Sequence, residues 1–509
     1  MKFLLAAINA KYIHSNPGVY SLRAFARTKI PEADIEIGEY TINHQMDLIL
    51  QDIYRRKPDF IGFSCYIWNI SYIMEIVRDV KKVLPEVEIW LGGPEVSYDA
   101  KKVLTREPDV CGVMRGEGEL TFTELVRAYL KREELCAASL DLDHIPGITY
   151  RAESGEVVER GPQRLLSLDE IPFYYDDMAG FENRIVYYES SRGCPFSCSY
   201  CLSSIDKTVR FRSLDLVLPE LQFFLDHKVL QVKFVDRTFN CKRDHTLGIW
   251  RYLVEHDNGI TNFHFEVSAD IFDEEELELI GKMRPGLIQL EIGVQSTNPD
   301  TIKEIHRHMD LVKLKQAVDR VYDYRNTHQH LDLIVGLPYE NYERFCQSFD
   351  DVYWMRPEQL QLGFLKVLTG SYMAEKTQDY GLLYHQEPPY EVLATKWLDY
   401  GQVLRLKAVE DMVEVHYNSG QYTETLREME QHWASPYAMF EALADYYERL
   451  GYTGIAINRL TRYEILFGFL QETEPEKTER YRDLLTYDLY LRENIKSRPA
   501  FLRDESPWK

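Results

Sequence analysis

No run of apolar residues in this chain reaches the roughly 18–20 positions that a membrane span needs, and no low-complexity tract interrupts its 509 residues. A basic excess is missing too: 59 Lys and Arg stand against 82 Asp and Glu, a formal charge of −23. A surface held to nucleic-acid phosphates or anionic lipid is expected to be basic, so the balance weighs against both as main partners. Cysteines number only eight and are not spaced as a disulfide framework. No small-residue cleavage site follows the apolar start MKFLLAAINAKYIHSNPG, which is therefore expected to be a buried first strand of a cytoplasmic protein with reduced thiols. At 45% apolar and 28% charged, the composition is that of a globular chain too long for one core.

What is present is two series of alternating strand and helix patterns. Over residues 1–130, apolar stretches such as KFLLAAIN, DFIGFSCYIW and VEIWLGG alternate with helical spacings such as YIMEIVRDVKKVL. This predicts a doubly wound α/β domain with a parallel sheet covered on both faces. Its ligand edge is the carboxyl end of the strands, where the loops NAKYIHSNPG, YIWN, GGPEVS and RGEGE are rich in Gly, Asn and Ser. Residues 131–180 read as a connection with a small hairpin, GITYRAESGEVVER. Over 181–370, six strand patterns joined by helices (RIVYYES, LQVKFVD, FHFEVSA, LIQLEIGVQS, HLDLIVGLP, LQLGFLKVL) predict a partial (β/α)6 barrel with its chemistry at the strands' carboxyl ends. Residues 371–509 read as a helical domain, with Leu393, Trp397, Tyr400 and Leu404 expected as one core stripe.

The first barrel strand runs into SSRGCPFSCSYC, so Cys194, Cys198 and Cys201 stand within eight positions. A closed zinc site needs a fourth ligand, and Cys241 and His245 stand about forty residues on, beyond another predicted strand. A disulfide with a spare thiol suits neither the crowding nor the compartment. Three thiolates in one loop suit a [4Fe–4S] cubane, which ordinarily takes four cysteines; three leave one iron open to another ligand.

This spacing, with the aromatic Tyr200 before the last cysteine, resembles the radical S-adenosylmethionine (SAM) superfamily. The resemblance implies that the open iron chelates SAM, which is cleaved reductively to a 5′-deoxyadenosyl radical. It implies SAM contacts from Tyr200, from Asp236 in VDRTF (the common Gly-Gly-Glu being absent), from Glu266 and Ser268 in FEVSAD, from Glu291, Gln295 and Ser296 in LEIGVQS, and from Gly336 in DLIVGLPYE. A doubly wound domain directly before such a barrel is similar to the cobalamin (B12)-binding members. That implies a cobalamin site at Asn16, Tyr66, Gly92, Gly93, Pro94, Glu117, Gly118 and Glu119. His14 lacks the Asp and Gly of the Asp-x-His-x-x-Gly signature, so no histidine on cobalt is expected.

The implied function is a cobalamin-dependent radical SAM methyltransferase acting on an unactivated carbon, supplied with electrons by a carrier such as flavodoxin or ferredoxin. Three other readings stay open: cobalamin chemistry without net methylation, methylthiolation, and a non-enzymatic sensor. Methylthiolation would need a second cluster in the first domain, where Cys65, Cys111 and Cys136 are poorly spaced for one. The substrate and any catalytic side chain are unassigned.

Overall fold

The computed structural model describes residues 1–136, 140–492 and 499–502; the end of the helical domain expected to reach 509 lies outside them. Strands β1 (Lys2–Asn9), β2 (Asp34–Thr41), β3 (Phe60–Ser64), β4 (Glu88–Gly92) and β5 (Gly112–Met114) run parallel in the order 2-1-3-4-5. The expected hairpin is present as β6 (Ile148–Arg151) and β7 (Val157–Glu159), but it extends this sheet antiparallel at its far edge instead of standing apart in a connection. The unbroken apolar character of β1 has a simple cause. Leu4, Ala6 and Ile8 enter one core with helices Met46–Arg56 and Ile70–Val83. Phe3, Leu5 and Ala7 enter the opposite core with Pro17–Lys29 and Gly118–Leu135. The winding reverses between β1 and β3, which opens a crevice at their carboxyl ends.

The second series comprises β8 (Val186–Tyr188), β9 (Ser191–Arg192), β10 (Arg210–Phe211), β11 (Gln231–Phe234), β12 (Asn262–Val267), β13 (Ile288–Gln295), β14 (His328–Val335) and β15 (Gln359–Phe364). Six of these form one parallel sheet in the order 15-14-13-12-11-8, and its two outer strands do not pair with each other. This is the expected open barrel. Residues such as Val232, Phe234, Phe265, Leu290 and Leu331 point outward into a core shared with the surrounding helices. The alternate positions are polar and face the interior.

Beyond β15 the chain folds back across the mouth. Val367 N donates to Tyr390 O (3.0 Å) and Val392 N to Leu365 O (2.8 Å), and β16 (Leu383–Tyr384) pairs antiparallel with β17 (Val392–Ala394). The helices that follow, Tyr400–Met412 through Thr478–Arg492, pack on the barrel's outer helix Tyr342–Tyr353, with Phe349 5.6 Å from Tyr437 and 6.0 Å from Phe440 between ring centres. Asn418 reaches the barrel's open edge: its side chain accepts from Leu360 N and donates to Leu360 O, both at 2.9 Å. The expected stripe of Leu393, Trp397, Tyr400 and Leu404 is not formed. Leu393 lies in β17, and a reciprocal cap between Asp399 and Gln402 starts the helix at Tyr400. Tyr400 and Leu404 are about half exposed, at 50% and 47%, while Val403, Leu406 and Val409 are buried.

His416 sits wholly inside this helical region, its Nε2 3.0 Å from the Tyr447 hydroxyl, and burial holds its pKa down at about 3. The folded state therefore keeps it neutral where the unfolded chain takes up a proton below about pH 6.5, so stability is lost as pH falls from there toward 3. At pH 5 the loss is about 2 kcal/mol. Urea unfolding at pH 7.5 and pH 5 should show His416→Phe with an acid loss smaller by that amount; an unchanged difference would remove His416 as the cause.

Candidate functional site

The cysteine loop leaves the barrel at β8 and is closed at its base by the short ladder of β9 with β10. Its stem hangs on Asp236, which follows β11. The fully buried carboxylate accepts from Ser190 N (2.8 Å), Ser190 Oγ (2.6 Å) and Ser191 Oγ (2.9 Å). His245 Nε2 lies 3.0 Å from the same Ser190 Oγ. Burial lowers the His245 pKa to about 4 and raises that of Asp236 to about 6. Both oxygens of Asp236, implied by the sequence as a SAM contact, are taken by protein groups and hold the stem of the loop. Gly193 takes φ +98°, where a side chain would strike the Thr208 carbonyl.

Within the loop, Cys194 and Cys198 are buried and Cys201 is half-buried. Ser204 Oγ donates to the Cys198 and Cys201 carbonyls at 2.9 and 2.6 Å. Thr238 Oγ1 lies 3.7 Å from Cys194 Sγ, and Arg307 Nη1 donates to Cys198 Sγ at 3.8 Å. Arg307 also donates to the Gly293 carbonyl, at the bulge between Gly293 and Gln295 in β13. Among the described residues no three Cys, His, Asp or Glu side chains are arranged around a single ion. A cubane does not ask for that, because each thiolate takes a different iron. Donors aimed at the sulfurs fit an anionic iron–sulfur cluster, so Cys194, Cys198 and Cys201 fit as its ligands.

Cys241 is near in space although distant in sequence, since Cys194 contributes to the rise of its pKa to about 11, after burial. Cys241→Ser is expected to keep four irons per chain and to keep SAM binding, if the cluster takes three protein sulfurs. Loss of one iron with loss of the cluster's signal would make Cys241 a fourth ligand.

Tyr200 packs beside an apolar cluster of Leu337, Leu365, Met373, Tyr380 and Val392, and Met373 N donates to Ser199 O at 2.9 Å. The chain beyond residue 370 therefore supports the loop directly. Gly336 (φ +92°) belongs to the same wall, where a Cβ would lie 2.9 Å from Val392. Ser296 is fully buried and donates to Glu340 Oε1 (2.6 Å), so it too braces the wall. Ser268 donates to Asp270 (2.7 Å), and its backbone is paired with the Asn240 side chain. Glu291 accepts from Lys233 at 2.9 Å, and His264 Nε2 lies 2.9 Å from it at ion-pair distance without hydrogen-bond alignment. Gln295 (φ +71°) leaves its Oε1 buried without a hydrogen-bond partner among the described residues, and the Glu266 carboxylate has no hydrogen bond among them and a pKa pushed up to about 7 by burial. Of the implied SAM residues these last two are the ones free to bind.

The first domain brings its crevice to this mouth. Asn69 holds the crevice floor by donating to the Ile8 and Ser64 carbonyls, both at 2.9 Å, and accepts from Tyr66 N at 2.7 Å. Tyr66 stacks on Trp68 at 4.3 Å, and Trp68 is 44% exposed. Tyr66 feels the charges of Arg237 and Glu189 at the barrel mouth, and Tyr98 those of Cys201 and Asp206. Asn16 caps helix Pro17–Lys29 and donates to Ser64 Oγ at 3.2 Å. Gly92 ends β4, and Gly93 (φ +110°) turns the chain into the short helix that Pro94 begins. Gly118 opens helix Gly118–Leu135, where a Cβ would press on Leu22 at 2.8 Å. Gly116 (φ +73°) has open space where a side chain would stand. An open, glycine-bearing edge with an aromatic pair at the reversal of winding fits a large flat cofactor with a polar tail, as cobalamin is. Two expected contacts are placed otherwise: Glu117 pairs with Arg192 (3.1 Å) and Arg210, and Glu119 with Arg192 (3.0 Å) and Ser21 (2.9 Å). They clamp the first domain to the cysteine loop. His14 accepts or donates at Nδ1 to Tyr187 OH of the barrel (2.7 Å), as a hydrogen-bonding loop residue.

Cys65 follows β3 at the carboxyl edge of the first sheet, Cys111 precedes β5 at the opposite edge, and Cys136 ends helix Gly118–Leu135. They cannot share a second cluster. Arg307, Thr238, Lys233, His330 and Asp332 were not singled out from sequence; the basic IHRHMD after LEIGVQS was the available signal for Arg307.

Residues 4–126 match the B12 binding domain, residues 188–352 the Radical SAM superfamily, and residues 378–509 a protein family of unknown function, DUF4080. The chain is 27% identical over 349 residues to the cobalamin-dependent radical SAM methyltransferase TokK of Streptomyces tokunonensis, covering 64% of this chain and 50% of that protein. It is 24% identical over 317 residues to the anaerobic magnesium-protoporphyrin IX monomethyl ester cyclase of Rubrivivax gelatinosus, covering 60% and 55%. The chain thus spans about half the length of these curated relatives. Its fold is shared with the cobalamin-dependent SAM radical enzyme OxsB, solved with aqua-cobalamin and SAM bound, at a TM-score of 0.67 and 15% identity over 96% of this chain and 79% of that one. The chain thus sets a B12 binding domain ahead of a Radical SAM domain, the pairing found in cobalamin-dependent radical SAM enzymes, and those domains imply a [4Fe–4S] cluster, SAM and cobalamin as cofactors.

Proposed function

We propose that the protein cleaves SAM reductively at the three-cysteine cluster and transfers a methyl group to an unactivated carbon of its substrate. The observation that carries this reading is the meeting of two carboxyl edges, with Tyr66 and Tyr98 of the first domain set against Arg237, Glu189 and Cys201 of the barrel mouth. When bound, the cluster supplies an electron and cobalamin a transferable methyl group. The protein's own residues do the rest. Asp236 and the Ser204 hydroxyl fix the loop, Arg307 donates toward Cys198, and Glu266 and Gln295 offer acceptors for the amino group and ribose of SAM. The ion pairs of Arg192 and Arg210 with Glu117 and Glu119 hold the two domains together and keep bulk water out of the seam.

A carrier such as flavodoxin or ferredoxin is the proposed electron source, and a reducing compartment, the cytoplasm, suits eight free cysteines. Among the described residues no helix is long and apolar enough to cross a membrane. Anaerobic reconstitution should give four irons and one cobalt per chain, with 5′-deoxyadenosine formed from SAM. Zinc in place of iron, or no cleavage with a competent reductant, overturns the proposal. The likeness to a cyclase keeps a non-methylating reaction as the second reading; a product heavier by one methyl group decides for transfer.

A further inference from the structure

The interior of the barrel is built almost wholly of hydrogen-bonding side chains. Inward positions carry Lys233 in β11, His264 and Glu266 in β12, Glu291 in β13, and His330 and Asp332 in β14. Their strand neighbours point outward into the apolar core. Lys233 reaches over β12 to Glu291, so these groups share one concave space. It is open space: the side chains of Lys233 and Glu291 each keep 24% exposure, and that of Asp332 keeps 20%.

The set is not self-sufficient. The one lysine is spent on Glu291. His330 Nε2 lies 3.0 Å from Asp332 Oδ1 and His264 Nε2 2.9 Å from Glu291, both at ion-pair distance, but neither histidine is aligned as a hydrogen bond, and His330 Nε2 and Asp332 Oδ1 are buried without an aligned partner among the described residues. His328 Nε2 and Gln295 Oε1 are in the same position, and the Glu266 carboxylate has no hydrogen bond among the described residues. The amino group and ribose of SAM would satisfy Glu266 and Gln295, leaving His330, level in register with Glu291 and Glu266, and Asp332, level with Gly293, for another ligand. An apolar ring system placed there would strip these carboxylates of water and return nothing, whereas donors on the ligand would pair them.

We propose that the barrel interior recognises a small, water-soluble substrate presenting amine or hydroxyl donors, with His330 and Asp332 as specificity-determining residues. This rests on the function proposed above. The test supplies the reconstituted full chain, with SAM and dithionite, with an extract of the native host grown in deuterated medium. The extract is split into aqueous small-molecule, macromolecular and chloroform-soluble fractions. Removal of a substrate deuterium atom makes 5′-deoxyadenosine one mass unit heavier. The aqueous small molecules should give that label, and in Asp332→Leu and His330→Leu the labelled share of 5′-deoxyadenosine should fall about tenfold or more. A separate readout uses the cluster-free chain, whose melting temperature should rise with the aqueous fraction in the wild type but not in Asp332→Leu. Label from the lipid or macromolecular fraction, label from none, or label indifferent to both substitutions overturns the proposal. Absence of any 5′-deoxyadenosine, labelled or not, instead overturns the function beneath it.

Discussion

Cys198→Ala is expected to lower 5′-deoxyadenosine formation by at least about a thousandfold, to the detection limit, while leaving the melting temperature of the cluster-free protein nearly unchanged. The two halves of that expectation have different causes. Cys198 is one of three sulfurs on a loop; it is buried but belongs to none of the apolar core clusters, and its thiol takes a long contact from Arg307. Its loss therefore costs little in folding. A cubane held by two protein sulfurs, however, loses the arrangement in which a single iron stays open for SAM. The same loss is expected for Cys194 and Cys201, and Cys241→Ser is the internal control. Anaerobic iron and sulfide analysis with a SAM-cleavage assay checks it; a Cys198→Ala protein that still cleaves SAM at more than a few per cent of the wild-type rate contradicts the cluster assignment.

Asp236→Leu should act through stability first and chemistry second. The substitution leaves Ser190 N, Ser190 Oγ and Ser191 Oγ without their acceptor in a fully buried place. Unpaired buried donors cost about 1–3 kcal/mol each, so a loss of about 3 kcal/mol is expected after local relaxation. The cysteine loop hangs from these serines, and iron retention should fall with the melting temperature. Asp236→Asn keeps one acceptor and avoids burying a charge, so it should lie between wild type and Asp236→Leu on both measures. Full iron retention with an unshifted melting temperature in Asp236→Leu would show that the loop is held by other contacts.

The sequence was most legible where a local rule is also the global one. KFLLAAIN had to be doubly covered, and the three cysteines with Tyr200 lie in one short loop, so the sheet could be read, and the candidate cluster ligands named, without tertiary information. The barrel strands were equally legible in number and order. Their alternation, as in QVKF and IQLEIGVQ, carried a further message that a count of strands ignores: every second residue faces a polar interior. Other features depend on contacts between distant segments. Nothing near Asp236 in the chain reveals that Ser190 and Ser191 occupy it, and nothing near Glu117 or Glu119 reveals Arg192 and Arg210. The resemblance implied cofactor contacts for Asp236, Glu117 and Glu119; in the structure each already has protein partners. The mistaken stripe from Leu393 to Leu404 has a different cause. Four residues at helical intervals fit a helix, but the Asp399 cap and the preceding strand pair begin a new element in the middle of the pattern.

An incomplete barrel has a strand with unsatisfied peptide groups along one side, and such a border invites pairing with a second molecule. At Leu360, Asn418 supplies both the acceptor and the donor that another strand would bring. The helical region thereby makes the molecule its own neighbour there. Preparations cut short before Asn418 should therefore be prone to self-association through β15, and the remedy for their precipitation would be to restore that lateral seal.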